Sequence, residues 1–227
     1  MRQDTLLSLR ERIKPLQAPV SARAPSCCLA TGVAALDQAL GGGIAQGKIT
    51  EFVGKGSNGR TALAVSLVAR VSNGLAFQGE EASGCSVAWV DAGDCLDVAS
   101  LKGAGVEMSR VLWLRRAEKQ AAKQALKAVN LLIGSQDFSL LVLDLVGSGF
   151  RKVTQRSSWW MRISRKLQTS NAALLVLAQE PSVFQPACRV AFSPRRILSE
   201  PLSFNVMHRG CGEVLSLSPV QLRRPAG

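Results

Sequence analysis

The amino-acid sequence predicts an α/β domain: a mostly parallel central sheet flanked by helices, with antiparallel edge strands near the C-terminus. Three observations carry that expectation. Apolar runs of strand length recur as ITEFV, VAWVD, LLVLD and AALLVLA, and runs that are apolar throughout belong to strands buried on both faces. Between them lie longer segments with apolar residues at helical spacing, and strands alternating with helices build parallel sheets. The first of these strands runs straight into GKGSNGRT, residues 54–61, a glycine-rich turn ahead of a helix.

Residues 1–14 place Leu6, Leu9 and Ile13 at helical spacing beside Arg10, Arg12 and Lys14, which predicts a short amphipathic helix. Three prolines make residues 15–28 a linker or an arm laid over a surface. The core is expected over residues 29–219. It opens with a helix from Val33 to Leu40, a glycine turn and a buried strand from Ile49 to Val53. TALAVSLVARVSNG follows as a helix so continuously apolar that it must be buried on most sides. CSVAWVDAGD reads as a strand ending in acidic residues, and SRVLWLRR as one ending in a basic pair. In AEKQAAKQALKAVNLLIG, Ala121, Ala125, Val129 and Leu132 share one face while Lys119, Lys123 and Lys127 share another. FSLLVLDLVGSG carries a strand into Asp144, a basic stretch with a helical second half follows, and AALLVLAQ is the next strand. Residues 188–200 and 202–220 read as short antiparallel strands at the sheet edge, and residues 220–227 as a basic tail.

The charge sets the partner class. Lys and Arg number 28 against 16 Asp and Glu, a formal +12, which points to an anionic partner such as nucleic acid. No apolar stretch approaches the roughly 20 residues of a bilayer span, and the N-terminus has no secretory apolar region, so a cytoplasmic protein without membrane contact is expected. Cys27, Cys28, Cys85, Cys95, Cys188 and Cys211 form no C-x-x-C pair, and His208 is the sole histidine. Zinc sites and Ser/His/Asp or Cys/His catalysis are therefore not expected, and the cysteines read as reduced thiols.

A loop that cradles phosphate needs glycines that turn backbone N–H groups inward, a helix N-terminus, a cation for the outer phosphates and a hydroxyl for magnesium. Gly54, Gly59 and Thr61 meet the geometric needs, Arg60 supplies charge where the pattern asks for lysine, and Asp144 ends a later strand as a magnesium-organising carboxylate should. A planar guanidinium is bulkier than an ammonium and presents fixed donors. Poor contact with the outer phosphates removes transition-state stabilisation, so hydrolysis is expected to be crippled.

These stretches resemble the core of the RecA recombinases. TGVAALDQALGGGIAQGKITEFVGKGSNGRT looks like the entry segment and Walker A loop, VAWVDAGDCLD like the second strand and its acidic turn, LLVLDLVGSG like Walker B, and SRKLQTSNAALLVLAQ like the helix and strand that end in the nucleotide-sensing glutamine, here Gln179. The resemblance implies a RecA-type P-loop core. Three departures fall on its active site: Arg60 for the Walker lysine, Gly93 where the water-activating glutamate is expected, with Asp94 beside it, and Ser100 where a tyrosine stacks on adenine. Such a site implies no catalytic residue. It needs no cofactor, and ATP with magnesium on Thr61 and Asp144 is at most a weakly held ligand that is not turned over.

Among RecA-related chains of this length with a degenerate site, the sequence is most similar to the ImuA family, SulA-like or RecA-like accessory factors encoded with ImuB and an error-prone replicative-type polymerase. That resemblance implies damage-induced (SOS) mutagenic translesion synthesis, with DNA, the RecA recombinase, ImuB and that polymerase as partners. Two alternatives stay open, an active DNA-dependent ATPase of the RecA family and a SulA-type cell-division inhibitor; the latter fits the charge poorly. Recombinases hold DNA on a loop after Walker B, which places Arg151, Lys152 and Arg156 in that role. Arg162, Arg165 and Lys166 share one helix face and Arg195 and Arg196 form a further pair, all suited to sequence-independent phosphate contacts. The loop after Gln179 carries no cation. Leu6, Leu9 and Ile13 are the expected partner-docking residues, by analogy with the N-terminal segment that joins recombinase protomers. Trp89, Trp113 and at least one of Trp159 and Trp160 are expected in the core.

Overall fold

The computed structural model describes residues 28–77, 84–115, 121–147, 157–193, 202–208 and 215–220. Leu6, Leu9, Ile13, Arg151, Lys152, Arg156, Arg195, Arg196 and residues 221–227 of the expected basic tail lie outside them. Elements follow in the order β1 (Cys28–Leu29), α1 (Ala34–Ala39), β2 (Ile44–Ala45), β3 (Ile49–Val53), α2 (Arg60–Ser72), β4 (Val87–Asp91), α3 (Val98–Gly103), a 3-10 turn at Met108–Arg110, β5 (Val111–Arg115), α4 (Ala121–Ser135), β6 (Leu140–Asp144), α5 (Ser157–Leu167), β7 (Ala173–Ala178), β8 (Cys188–Phe192), β9 (Leu202–His208) and β10 (Leu215–Val220). β1 and β2 pair with each other, and the other strands form one sheet of order β10-β9-β8-β3-β7-β6-β4-β5. From β8 to β5 every pairing is parallel, while β9 and β10 add antiparallel.

The apolar runs behave as doubly buried strands should. Along β6, Leu140 and Val142 face a core shared with Leu36 of α1, Leu63 and Leu67 of α2 and Leu101 of α3. Leu141 and Leu143 face the opposite core, shared with Leu126 and Val129 of α4 and Trp160 and Ile163 of α5. The predicted stripe on α4 holds where its side chains are described: Ala125, Val129 and Leu132 are buried, Lys123 and Lys127 exposed. Trp89 and Trp160 are buried as expected, whereas Trp113 is half-buried because β5 is the edge strand among the described residues, with a strand beside it on one side alone.

One tail strand departs from expectation. Residues 188–192 pair parallel with β3, continuing the main sheet, and only β9 and β10 are antiparallel. The chain after β7 returns to the start of β3, where Ala187 N–H donates to the Ile49 carbonyl at 2.9 Å, so β8 enters the sheet in the direction of β3. Across that pair Arg189 Nε donates to Glu51 Oε2 at 2.6 Å, an ion pair whose carboxylate is fully buried. His208 closes β9 onto α1, its Nε2–H donating to the Ala39 carbonyl at 2.6 Å. No described helix is long and apolar enough to cross a membrane.

Candidate functional site

Parallel strands deliver their carboxyl ends to one edge of the sheet, and there the predicted residues meet. Val53 pairs with Ala178, Asp144 with Leu177 and Asp91 with Asp144, so Gly54, Gln179, Asp144 and Asp91 end four neighbouring strands. Gly54 N–H donates to the Ala178 carbonyl at 3.2 Å and Ala92 N–H to the Asp144 carbonyl at 3.0 Å, which locks these ends together. Gly59 is the N-cap of α2 in the left-handed conformation, φ 83°, where a side chain is strained.

The loop is braced from within by Asn58, which is 2% exposed. Its Oδ1 accepts from Arg60 N–H at 3.2 Å, and a Cβ on Gly54 would stand 2.1 Å from its Nδ2 and 2.7 Å from the Phe192 backbone carbonyl oxygen, so glycine is needed at position 54. Arg60 does not reach outward. It is 4% exposed, its Nη1 donates to the Gly54 carbonyl, and its Nε is buried without a hydrogen-bond partner. Burial pulls its pKa down and Asp144 opposes that shift. The exposed cation of the loop is Lys55, whose Nζ sits 3.0 Å from Glu180 Oε1, just after the exposed Gln179.

The acidic side is equally committed. Burial pushes the Asp144 carboxyl up to about 7, with Asp91 adding repulsion and the hydrogen bond from Val146 N–H, 2.9 Å, opposing. Asp91 accepts from Cys95 N–H and Leu96 N–H at 3.1 and 2.9 Å. Asp94, at φ 55°, is drawn away by Arg115 on β5, which forks onto both its oxygens and holds its carboxyl below the usual range. At Gly93 a Cβ would stand 1.9 Å from the Val146 carbonyl oxygen, so the backbone after β6 occupies the space a glutamate needs. Ser100, placed where adenine is stacked in the recombinases, donates its hydroxyl to Asp97 at 2.7 Å within the cap of α3.

A nucleotide therefore fits these residues in part. Phosphate finds the N-terminus of α2, with half-buried Thr61 in its first turn and the unpartnered Arg60 Nε nearby. Magnesium finds a carboxylate that is half protonated near neutral pH, and adenine finds no aromatic platform at Ser100. Between β4 and α3, Asp94 is tied to Arg115 and Asp97 caps α3, so both carboxylates are engaged.

The basic helix face is less uniform than its spacing suggests. On α5, Arg162 and Arg165 are exposed, but Arg162 lies over the Trp159 ring, 5.8 Å from its centroid, and Lys166 is half-buried with its Nζ donating to the Asn130 carbonyl of α4. Sequence reasoning missed Asn58, the Lys55–Glu180 pair and the Glu51–Arg189 pair. A glutamate inside ITEFV and an arginine inside CRVAF were the visible signals, since buried charges are paired.

A family model described as RecA N-terminal domain matches residues 20–154. Similar curated proteins include Protein RecA of Nautilia profundicola, 34% identical over 125 residues, which is 55% of this chain and 32% of that protein. Protein RecA of a Mycobacterium species is 34% identical over 127 residues, 56% of this chain and 33% of that protein, and Protein RecA of Thermus aquaticus 35% over 119 residues, 52% and 32%. The chain spans about a third of the length of these relatives. Since the family match covers more than half of the chain, from ahead of β1 to beyond the strand that carries Asp144, this chain belongs to the RecA N-terminal domain family.

Proposed function

We propose that this chain is a non-catalytic RecA-related accessory protein of damage-induced mutagenic translesion synthesis, acting in the cytoplasm. It binds DNA and bridges the RecA recombinase and a complex of ImuB with an error-prone replicative-type polymerase. The observation that carries the non-catalytic part is the closed position at Gly93, where the Val146 carbonyl stands in place of a side chain while Arg115 holds Asp94 aside. Loss of a water-activating group removes about 2.7–5.5 kcal/mol of transition-state stabilisation, and the inward-folded Arg60 adds to that loss.

The formal charge of +12 supports the DNA-binding part, which assigns phosphate contacts to Arg151, Lys152, Arg156, Arg195 and Arg196, with Leu6, Leu9 and Ile13 as docking residues for the recombinase or ImuB. The second reading, a DNA-dependent ATPase, has one observation in its favour: the buried, unpartnered Arg60 Nε close to the N-terminus of α2. The test is co-elution of the purified chain with cognate RecA and with ImuB, beside phosphate release with ATP, magnesium and DNA. Binding to both partners without turnover supports the adaptor; turnover, or no affinity for either partner, refutes it.

A further inference from the structure

The face of the sheet away from the glycine loop's helix carries α4 and α5, which pack against each other. Their sequences, 121–135 and 157–167, hold Lys123, Lys127, Arg162, Arg165 and Lys166 and no Asp or Glu. Two of the larger exposed apolar side chains of the described molecule lie on the same pair of helices, Leu131 at 49% and Met161 at 48%. On α4, Lys123, Lys127 and Leu131 follow at i, i+4 and i+8, so they form one outward stripe. On α5, Ser158, Met161, Arg162, Arg165 and Lys166 line a shallow depression, and Lys166 ties it to the turn of α4 that carries Leu131 by donating to Asn130.

Phosphates explain this surface poorly. Lys166 already serves a helix carbonyl, Arg162 is laid over Trp159, and a nucleic-acid backbone following the remaining cations leaves Leu131 and Met161 in water. An amphipathic helix uses both features at once, its apolar residues covering the aliphatics and flanking carboxylates meeting the cations. The chain cannot supply that helix itself: residues 1–14 hold Arg2, Arg10, Arg12 and Lys14 against Asp4 and Glu11, and a second copy carries the same +12.

We propose that the outer face of α4 and α5 is a docking site for an acidic amphipathic helix of a different protein. This inference rests on the adaptor reading and gives it a second, separate contact surface. The experiment measures anisotropy of a fluorescein-labelled helix-forming peptide with leucines on one face and glutamates on the other, against full-length chain. A scrambled peptide of the same composition and a labelled oligo-dT run beside it. The amphipathic peptide is expected to bind about tenfold tighter than its scramble, and Leu131→Ser with Met161→Ser, or Arg162→Glu with Arg165→Glu, to erase that preference with the thermal midpoint unchanged. Equal binding of both peptides, or a preference that survives both double variants, overturns the proposal. So does a face whose variants weaken oligo-dT alone, which is then a nucleic-acid site. Cognate RecA and ImuB, measured with the same variants, separate the two levels: their binding with no peptide preference refutes the docking face but not the adaptor, and the reverse refutes the adaptor but not the face.

Discussion

At the scale of single residues, the site is filled from within by the Val146 carbonyl, the inward-folded Arg60 and the Asp94–Arg115 pair. Gly93 shows it best: adding a Cβ brings it to 1.9 Å from the Val146 carbonyl, so Gly93→Ala is expected to lower stability by about 2 kcal/mol in urea unfolding. For the same reason Arg60→Lys combined with Gly93→Glu should not create hydrolysis, and DNA-stimulated phosphate release from that double variant would show that the pocket is open after all. Asp144 makes a pH prediction. Its carboxyl titrates near 7 when folded and near 4 when unfolded, so between those values the folded state binds more protons and stability falls as pH rises. The full effect, about 4 kcal/mol at one pKa unit per 1.4 kcal/mol, is present above pH 7 and absent below pH 4. Asp144→Asn should flatten the pH dependence of the unfolding midpoint across that window; an unchanged slope means the buried carboxyl lies elsewhere.

At the scale of elements, the strands, helices and glycine loop were legible because their signals are local: unbroken apolar runs, helical spacing, and glycines at a strand end. The direction of β8 was not legible, since CRVAF reads the same in either orientation and its parallel pairing follows from the return of the preceding segment to Ile49 at the start of β3, distant in sequence. The Glu51 carboxylate fixes the segment after β7. It accepts from Ser182 N–H at 2.6 Å and Val183 N–H at 2.9 Å, while Arg189 Nη2 donates to the Val183 carbonyl at 3.0 Å. Residues 180–187, the loop after Gln179, are thus bound to the sheet. Glu51→Ala leaves Arg189 and two backbone N–H groups without their partner and should cost about 3 kcal/mol, with new proteolytic cleavage inside 180–187. Wild-type resistance to cleavage there in the variant would mean that the carboxylate does not hold the loop. The candidate site was half legible for a similar reason: motif spacing located Arg60, Asp144 and Gln179, but Asn58, Arg115 and Val146 act through contacts that no spacing encodes.

At the scale of the whole molecule, a RecA-type sheet carries at its carboxyl edge a Gly93 position crowded by the Val146 carbonyl and an Asp94 tied to Arg115, and 28 Lys and Arg outnumber 16 Asp and Glu. Binding to DNA should therefore be sequence-independent and steeply salt-sensitive, with log affinity falling linearly in log salt concentration; a flat salt response would remove phosphate contact as its basis. The central claim is that the fold has been retained as a scaffold without turnover. Phosphate release by the purified wild-type chain, with ATP, magnesium and single-stranded DNA at low salt, tests it most directly, with calorimetry reporting nucleotide binding in the same buffer. The account predicts release at the rate of the protein-free control whether or not ATP binds; DNA-stimulated release that disappears in Arg60→Ala would contradict it.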